Sequence, residues 1–278
     1  MTGLVLEGGG MRGLYSAGVM DVLMQLGFRP DVICGTSAGV TFGVNYPSHQ
    51  PGRVLRYNLR FAGDKRYISV FSLLRTGDIC NVDFCYRELP DVLDPFDYDT
   101  YRNSGIRLFA TVTNLRTGKA EYLEVKDCRT QMDIVRATAS LPFLSRVVHY
   151  QGEEYLDGGI VDNIPLDRCL AEGCDKVVVV LTRPKGEYTN DHLNLLARIF
   201  YHRYPALRQA IRTRNHNYRL RIEQIERLEA EGKIIVLRPS KPMKISRLEH
   251  DPKKLQALYD LGVRDAQALL IRTDCALK

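Results

Sequence analysis

Short, continuous apolar runs bounded by glycines or charged residues recur along this chain. Such runs are typical of strands that are covered on both faces of a sheet. They predict strands at residues 3–7, 31–34, 105–113, 155–156, 176–181 and 234–237. Residues 120–125 are predicted to return from residues 105–113 as a hairpin.

Between these runs, apolar positions recur at helical spacing. They predict helices from Leu14 to a stop at Gly27, over residues 132–139, 166–171 and 191–231, and from Pro252 onward, with a loop at residues 90–95. The alternation of strands and helices predicts an α/β fold: a three-layer α/β/α sandwich with a mostly parallel central sheet. No linker is evident, so residues 1–278 are predicted to form a single domain. Its motif-bearing core covers residues 4–170, and residues 171–278 complete the sheet and add basic C-terminal helices.

The turn that ends the second predicted strand is the first candidate for chemistry. Gly35-Thr36-Ser37-Ala38-Gly39 stands between two apolar runs. A strand, a sharp turn centred on a serine and a helix form a nucleophile elbow. The strained turn needs residues with almost no side chain near the serine, and Gly35 and Gly39 satisfy that need. We also expect the following helix to direct its N-terminal dipole at the serine oxygen.

A second glycine turn follows the first strand, at Gly8-Gly9-Gly10-Met11-Arg12-Gly13. Consecutive glycines leave convergent backbone N–H groups that suit an anion or an oxyanion, and Arg12 adds a positive charge. The same letters fit a dinucleotide-binding fingerprint, but that site needs a carboxylate at the end of the second strand, where Ser37 lies instead. We therefore expect a nucleophile and an anion cradle at one edge of the sheet.

Composition and charge limit the classes of protein. The chain has 278 residues, 45% of them hydrophobic, and a net charge of +6. This favours anionic partners without singling out nucleic acid, and no nucleic-acid partner is predicted. Seven cysteines without C-x-x-C spacing indicate free thiols in a reducing compartment. No apolar run is long enough to span a membrane and no signal peptide is evident, so a cytoplasmic protein is expected.

Two basic, aromatic stretches have alternative interpretations. Residues 52–87 would suit a surface that meets anionic headgroups, although a solvated helix with a core face explains them more simply. Residues 198–227 hold many arginines and three tyrosines. They fit either a membrane-facing surface or a lid, or a solvated face on which arginines pair with acids.

A serine needs a base to become a nucleophile. The six histidines are His49, His149, His192, His202, His216 and His250. None lies in a small-residue turn after a strand, where a hydrolase histidine is expected. Asp157 is the better candidate, because it ends a short strand and precedes Gly158 and Gly159. A partly desolvated carboxylate with a raised pKa can accept a serine proton directly.

Together, the Gly8–Gly13 turn, the Ser37 elbow and Asp157-Gly158-Gly159 resemble the motifs of the patatin-like phospholipase family. The segment Ala137-Thr138-Ala139-Ser140-Leu141-Pro142-Phe143 is similar as well, and the order and spacing agree over residues 4–170. One departure is Gly159, where many members have alanine. The chain is most similar to a small bacterial branch whose members often carry a basic C-terminal region.

The resemblance implies a lipid acyl hydrolase with a Ser–Asp dyad. Ser37 would be the nucleophile and Asp157 the general base. Gly8, Gly9 and Gly10 would supply oxyanion-hole N–H groups, with Arg12 nearby. The implied substrate is a lipid or ester, with peripheral contact to anionic membrane through the basic helices and with no metal or organic cofactor. Two alternatives stay open: a soluble carboxylesterase with a Ser–His–Asp triad, and a non-enzymatic protein that binds anionic lipid.

Overall fold

The computed structural model describes residues 1–188 and 194–272. Within them, one eight-stranded sheet forms the centre of the molecule. Its strands are β1 (Thr2–Leu6), β2 (Val32–Thr36), β3 (Arg107–Asn114), β4 (Ala120–Glu124), β5 (Val148–Tyr150), β6 (Glu153–Asp157), β7 (Lys176–Val180) and β8 (Ile234–Leu237). The order is β5-β6-β3-β2-β1-β7-β8, with β4 also paired to β3.

Four of the seven strand pairings in this sheet are parallel: β1 with β2, β1 with β7, β2 with β3, and β7 with β8. The antiparallel pairs include the predicted β3–β4 hairpin. The prediction of a mostly parallel α/β sheet is therefore confirmed. Strand β5 is an addition, because its three residues carry too little apolar pattern to be recognised.

The α-helices of the described residues cover both faces of the sheet. They are α1 (Gly13–Gln25), α2 (Ala38–Thr41), α3 (Arg53–Phe61), α4 (Val70–Thr76), α5 (Tyr98–Asn103), α6 (Met132–Thr138), α7 (Leu166–Ala171), α8 (Asn194–Phe200), α9 (Pro205–Ala230) and α10 (Pro252–Arg272). The residues of β1 alternate between the two layers. Leu4 and Leu6 belong to the apolar core that includes α1 and α10, whereas Val5 packs in the core with α7 and α9. This alternation makes the predicted three layers.

Several predicted boundaries need correction. Helix α1 begins at Gly13, after a 3-10 turn at Gly10–Arg12. The predicted loop at residues 90–95 is wrong in its first part, because a π-helix runs over Phe84–Leu93 and includes Pro90. The predicted helix at 191–231 is two helices, α8 and α9. Its residues 191–193, including His192, lie outside the described residues.

Helices α1 and α10 cross in backbone contact. A Cβ on Gly18 would lie 2.2 Å from the Tyr259 carbonyl oxygen, and one on Gly262 would lie 2.1 Å from the Tyr15 oxygen. Only glycine permits so close an approach at both points. The C-terminal helix therefore shares the core of α1, while the single-domain assignment itself stays a prediction.

Two further observations concern the chain as a whole. No helix among residues 1–188 and 194–272 combines the length and the apolar character needed to cross a bilayer. Six cysteines carry free thiols, and Cys275 lies outside the described residues.

Candidate active site

Ser37 occupies a strained backbone conformation between β2 and α2. Its φ is 54° and its ψ is −121°, a combination that costs a non-glycine residue about 1–3 kcal/mol. Close packing holds the turn in place. A Cβ on Gly39 would lie 2.3 Å from the Leu6 carbonyl oxygen, and one on Gly35 would lie 2.9 Å from the Gly39 oxygen. The strand–turn–serine layout is therefore that of an elbow.

The helix after the elbow is shorter than expected. Helix α2 has four residues and passes into a 3-10 turn at Gly43–Asn45. A single turn aligns few peptide dipoles, so the expected dipole effect on Ser37 is small.

Sheet register brings Ser37 and Asp157 together. Strand β4 occupies one edge of β3, while β2 and β6 follow one another along the other edge. Strand β2 ends with Thr36 opposite Thr111, and β6 ends with Asp157 opposite Val112. The two carboxyl ends thus meet head to head. There, Ser37 Oγ donates a 2.7 Å hydrogen bond to Asp157 Oδ2.

Thr138, at the end of α6, supports this meeting point. Its Oγ1 accepts a hydrogen bond from Ser37 N at 2.8 Å and donates one to Thr111 O at 2.6 Å. A Cβ on Gly158 would lie 2.2 Å from the same Thr111 oxygen, so that turn also needs a glycine. Thr138 lies in a segment that resembles the family, but its role could not be seen before the fold was known.

Asp157 is 4% exposed, and its burial raises the pKa of its carboxyl above the ordinary value. The hydrogen bonds from Ser37 and from Gly159 N–H, together with the charges of Arg214 and Arg247, act in the opposite direction. The Gly159 N–H donates to Asp157 Oδ1 at 2.7 Å. One carboxylate oxygen is therefore held by the backbone while the other faces the serine.

The first glycine turn offers fewer donors than expected. Gly8 N–H donates to the Asn163 carbonyl oxygen at 3.1 Å, so the expectation that all three glycines donate to an oxyanion needs revision. No hydrogen bond from Gly9 N–H or Gly10 N–H is found within the described residues. These two line the cavity beside Ser37 and Asp157. Gly13 stands behind them, where a Cβ would lie 2.9 Å from the Phe42 ring.

Glu7, the last residue before this turn, is fully buried. Its carboxylate accepts hydrogen bonds from Asn163 Nδ2 at 3.1 Å, from Thr182 N at 2.5 Å and Oγ1 at 3.0 Å, and from the Tyr218 hydroxyl at 2.8 Å. Asn163 Nδ2 also donates to Gly8 O at 2.9 Å. Glu7 and Asn163 therefore fix the turn from below. A glutamate directly before the glycines was the available sequence signal.

Arg12 does not line the cavity at Ser37 within the described residues. Its Nε donates to the Ile245 carbonyl oxygen at 3.1 Å, because the segment between β8 and α10 crosses this turn. Three other arginines, Arg183, Arg214 and Arg247, line the cavity instead. The positive charge predicted for Arg12 is present, but other residues supply it. We call the space bounded by these arginines, Ser37, Asp157 and Gly8–Gly10 the basic cavity.

A large apolar cavity also opens at Ser37. It measures about 1080 Å³, counting the space at its mouth. Its lining includes Phe42, Tyr57, Leu89, Phe96 and Val135. Buried Arg53 also lines it, with its guanidinium bound to Asn45 Oδ1 at 2.9 Å and to the Asp94 carbonyl oxygen. Ser37 therefore lies where an apolar space meets a charged one.

Histidine takes no part in this arrangement within the described residues. None lines the cavities that contain Ser37 or Asp157, and all five described histidines, His49, His149, His202, His216 and His250, are exposed. Nor does this part of the chain hold a group of three or more His, Cys, Asp or Glu side chains able to bind a metal ion.

Known proteins and protein families resemble this chain in sequence. A family model described as patatin-like phospholipase matches residues 4–170, and a domain of unknown function, DUF6363, matches residues 204–273. The uncharacterized protein YjjU of Escherichia coli is 30% identical over 66% of this chain and 53% of its own length. Lysophospholipase NTE1 of Scheffersomyces stipitis is 29% identical over 64% of this chain and 11% of its own. The chain thus spans about half of the first relative and a tenth of the second.

Among solved structures, VipD from Legionella pneumophila superposes with a TM-score of 0.40 and 14% identity. The superposition covers 96% of this chain and 67% of that one.

Proposed function

The chain belongs to the patatin-like phospholipase family, and we propose that it hydrolyses fatty-acyl esters of lipids with Ser37 as nucleophile and Asp157 as general base. The observation that carries the proposal is the 2.7 Å hydrogen bond between Ser37 Oγ and Asp157 Oδ2. The apolar cavity that opens at Ser37 supports an acyl substrate. The similarity to a lysophospholipase supports the same substrate class.

The first half of the reaction acylates the serine. Ser37 Oγ attacks the ester carbonyl carbon while its proton passes to Asp157 Oδ2. The negative charge that develops on the carbonyl oxygen is stabilised by the N–H groups of Gly9 and Gly10. When the tetrahedral intermediate collapses, the C–O bond to the alcohol breaks, and the departing oxygen takes the proton from Asp157. The acyl group remains on Ser37.

The second half releases the fatty acid. Asp157 accepts a proton from water as the water oxygen attacks the acyl carbon. Collapse of the second intermediate breaks the bond to Ser37 Oγ, which recovers the proton from Asp157. The raised pKa of Asp157 assists both halves, because a more basic carboxylate is a better match for a serine or water proton.

Two substitutions test the dyad. Ser37→Ala and Asp157→Asn should each lower the hydrolysis of a short-chain nitrophenyl ester by about 10²- to 10⁴-fold, with thermal unfolding showing that both variants fold. Asp162→Asn is the matched control. Asp162 is also buried and lies five residues further on, but its carboxylate accepts hydrogen bonds from the Tyr122 hydroxyl at 2.8 Å and from the Ile164 N–H at 3.3 Å. Retained activity in either dyad variant would refute the assignment.

We also propose peripheral contact with anionic membrane through α8 and α9. Helix α8 exposes Leu195, Ile199 and Phe200 by 70%, 61% and 63%, and Arg198 and Arg203 are exposed beside them. Leu196 lines an apolar groove that reaches Asp157, so docking there would bring lipid close to the dyad. Exposed apolar side chains beside basic ones are typical of interfacial helices.

Sedimentation with phosphatidylserine vesicles tests this contact. Bound protein should decrease as salt is raised, and Leu195→Ser with Ile199→Ser should weaken the binding. The matched control is Leu220→Ser, since Leu220 is also exposed but lies on α9 away from the groove. Equal binding by all variants would exclude α8 as the contact.

A further inference from the structure

The apolar cavity at Ser37 contains a buried positive charge. Arg53, the first residue of α3, is 3% exposed and lines this cavity. Among the described residues along the cavity there is no aspartate or glutamate, and the other charged side chain is that of Arg247, which also lines the basic cavity. A guanidinium in apolar surroundings costs free energy unless its charge and its N–H groups are compensated.

The carboxylate that faces Arg53 is shared with a second arginine. Asp94 Oδ1 lies 3.2 Å from Arg53 Nε. The same carboxylate accepts hydrogen bonds from Arg56 Nε at 2.7 Å and from Arg56 Nη2 at 2.8 Å. Two guanidinium groups therefore face one carboxylate. Burial lowers the pKa of Arg53, as expected for a guanidinium whose charge is incompletely compensated.

Hydrogen bonds use three of the five N–H groups of Arg53. Nε and Nη2 donate to the Asp94 carbonyl oxygen, and Nη1 donates to Asn45 Oδ1 at 2.9 Å. Within the described residues, the second N–H of Nη1 and the second N–H of Nη2 find no acceptor. Arg53 therefore retains one donor on each terminal nitrogen, and an arginine with two such donors can bind both oxygens of a carboxylate.

Two aromatic rings hold the Arg53 guanidinium in place. Its Cζ lies 5.3 Å from the centroid of the Tyr57 ring and 5.3 Å from that of the Phe96 ring. Both rings line the apolar cavity. Cation–π contacts stabilise the charge without using an N–H group, so the terminal donors keep a fixed position in the cavity wall.

Arg53 lies at a distance from Ser37. Its partner Asn45 stands eight residues after Ser37, along α2 and the 3-10 turn at Gly43–Asn45. At about 1.5 Å per residue, this helical path covers roughly 12 Å. An extended chain covers the same length in about ten bonds, since it advances about 1.2 Å per bond. An acyl chain with its ester at Ser37 would therefore approach Arg53 with its far end.

We propose that Arg53 binds a carboxylate at the far end of the acyl chain, so that the protein prefers esters of dicarboxylic acids to esters of methyl-terminated fatty acids. This assignment rests on the proposed acyl hydrolase function, and it makes Arg53 a residue that determines specificity. A methyl end would leave the two donors of Arg53 without a partner, whereas a carboxylate satisfies both and compensates the charge.

The kinetic test uses two series of nitrophenyl esters with acyl chains of about six to twelve carbons, one ending in a methyl group and the other in a carboxylate. The ratio of kcat/KM, carboxylate over methyl, should reach a maximum at one chain length, because Arg53 is fixed relative to Ser37. Arg53→Gln should lower that maximum by about 10- to 100-fold, and Arg53→Lys should recover part of it. A ratio without a maximum, or one that Arg53→Gln leaves unchanged, would overturn the proposal.

Arg56→Gln is the matched control. It also removes a guanidinium bound to Asp94, but the Arg56 side chain is 57% exposed and is absent from the cavity lining that the described residues form. This variant should leave the ratio unchanged, with thermal unfolding showing that it and Arg53→Gln both fold. If Arg56→Gln lowers the ratio as much as Arg53→Gln does, the preference comes from the surroundings of Asp94 and the assignment to Arg53 is wrong.

A binding test does not depend on turnover. The Ser37→Ala protein is titrated with the monomethyl ester of the dicarboxylic acid of optimal length and with the methyl ester of the corresponding fatty acid. The first should bind more tightly, and adding Arg53→Gln should weaken its binding about tenfold. Equal affinities would refute the carboxylate site while leaving the dyad intact. Hydrolysis of methyl-terminated nitrophenyl esters that persists in Ser37→Ala would instead refute the proposed function.

Discussion

The two parts of the chain contribute differently to the space around Ser37. The part up to residue 170 contributes backbone geometry: the strained serine, the head-to-head ends of β2 and β6, and glycines where other residues would clash. The part after residue 170 contributes the positive charges of Arg183, Arg214 and Arg247 along the cavity. It also contributes the Tyr218 hydroxyl, which donates a hydrogen bond to Glu7 beneath the first glycine turn. One part determines where Ser37 and Asp157 lie, and the other determines their electrostatic surroundings.

Because of this difference, we expect the two parts to tolerate amino-acid substitutions differently. Backbone that passes within 2.3 Å of a potential Cβ has no room for one, so the geometric part should fail completely when it is altered. Charge in a cavity acts over several ångströms, so the electrostatic part should respond in graded steps.

The largest effect is expected from Gly39→Ala in the geometric part. The new Cβ would lie 2.3 Å from the Leu6 oxygen, which neither strand nor turn can relieve. The free energy of unfolding should fall by about 3 kcal/mol or more, measured by urea denaturation. The control is Gly63→Ala, because Gly63 has open space around its Cβ position and no positive φ. Similar stability changes in the two variants would show that the close approach at Gly39 is unimportant.

A smaller effect is expected where the two parts join. Tyr218→Phe removes the hydroxyl that donates to buried Glu7 at 2.8 Å, which leaves that carboxylate one donor short. Stability should fall by about 1–3 kcal/mol, and ester hydrolysis should fall with it as the glycine turn loosens. Tyr204→Phe is the control, because its partner Glu154 is only partly buried. A loss no greater than that of the control would mean that Glu7 does not couple the two parts.

The smallest effect is a change in pH dependence. Asp157 must be ionised to accept a proton, and Arg214 and Arg247 lower its pKa while burial raises it. Arg247→Gln removes one positive charge, so the pKa of Asp157 should rise and the acid limb of kcat/KM should move to higher pH. Monoacylglycerol is the substrate of choice, since it does not itself titrate. The opposite shift, or no shift, would show that the charge of Arg247 does not lower the pKa of Asp157.

The geometric part was largely predictable from the sequence. Strand β1 and helix α7 lie within one residue of their predicted bounds, and the elbow and both glycine turns follow strands as expected. Glycine is a useful sequence signal for such sites, because it is needed where the local backbone is strained or leaves no room for a Cβ. The details that differed include the Gly8 N–H, which is taken by the distant Asn163.

The electrostatic part was not predictable in the same way. Arg183, Arg214 and Arg247 lie more than thirty residues apart along the chain and resemble many other basic residues of the C-terminal region. Their convergence depends on α9 and on the segment before α10, whose positions are fixed by tertiary packing. The sequence pattern therefore favours Arg12, which is adjacent to the glycines, although its side chain donates to the Ile245 carbonyl oxygen.

The central claim, that Asp157 activates Ser37, is tested most directly by reaction with a fluorophosphonate probe followed by intact mass and peptide mapping. The wild-type protein should gain a single adduct on Ser37, and Ser37→Ala should gain none. Asp157→Asn should react at least about 100-fold more slowly, because it lacks the base. An adduct on another residue, or equal rates for wild type and Asp157→Asn, would contradict the claim.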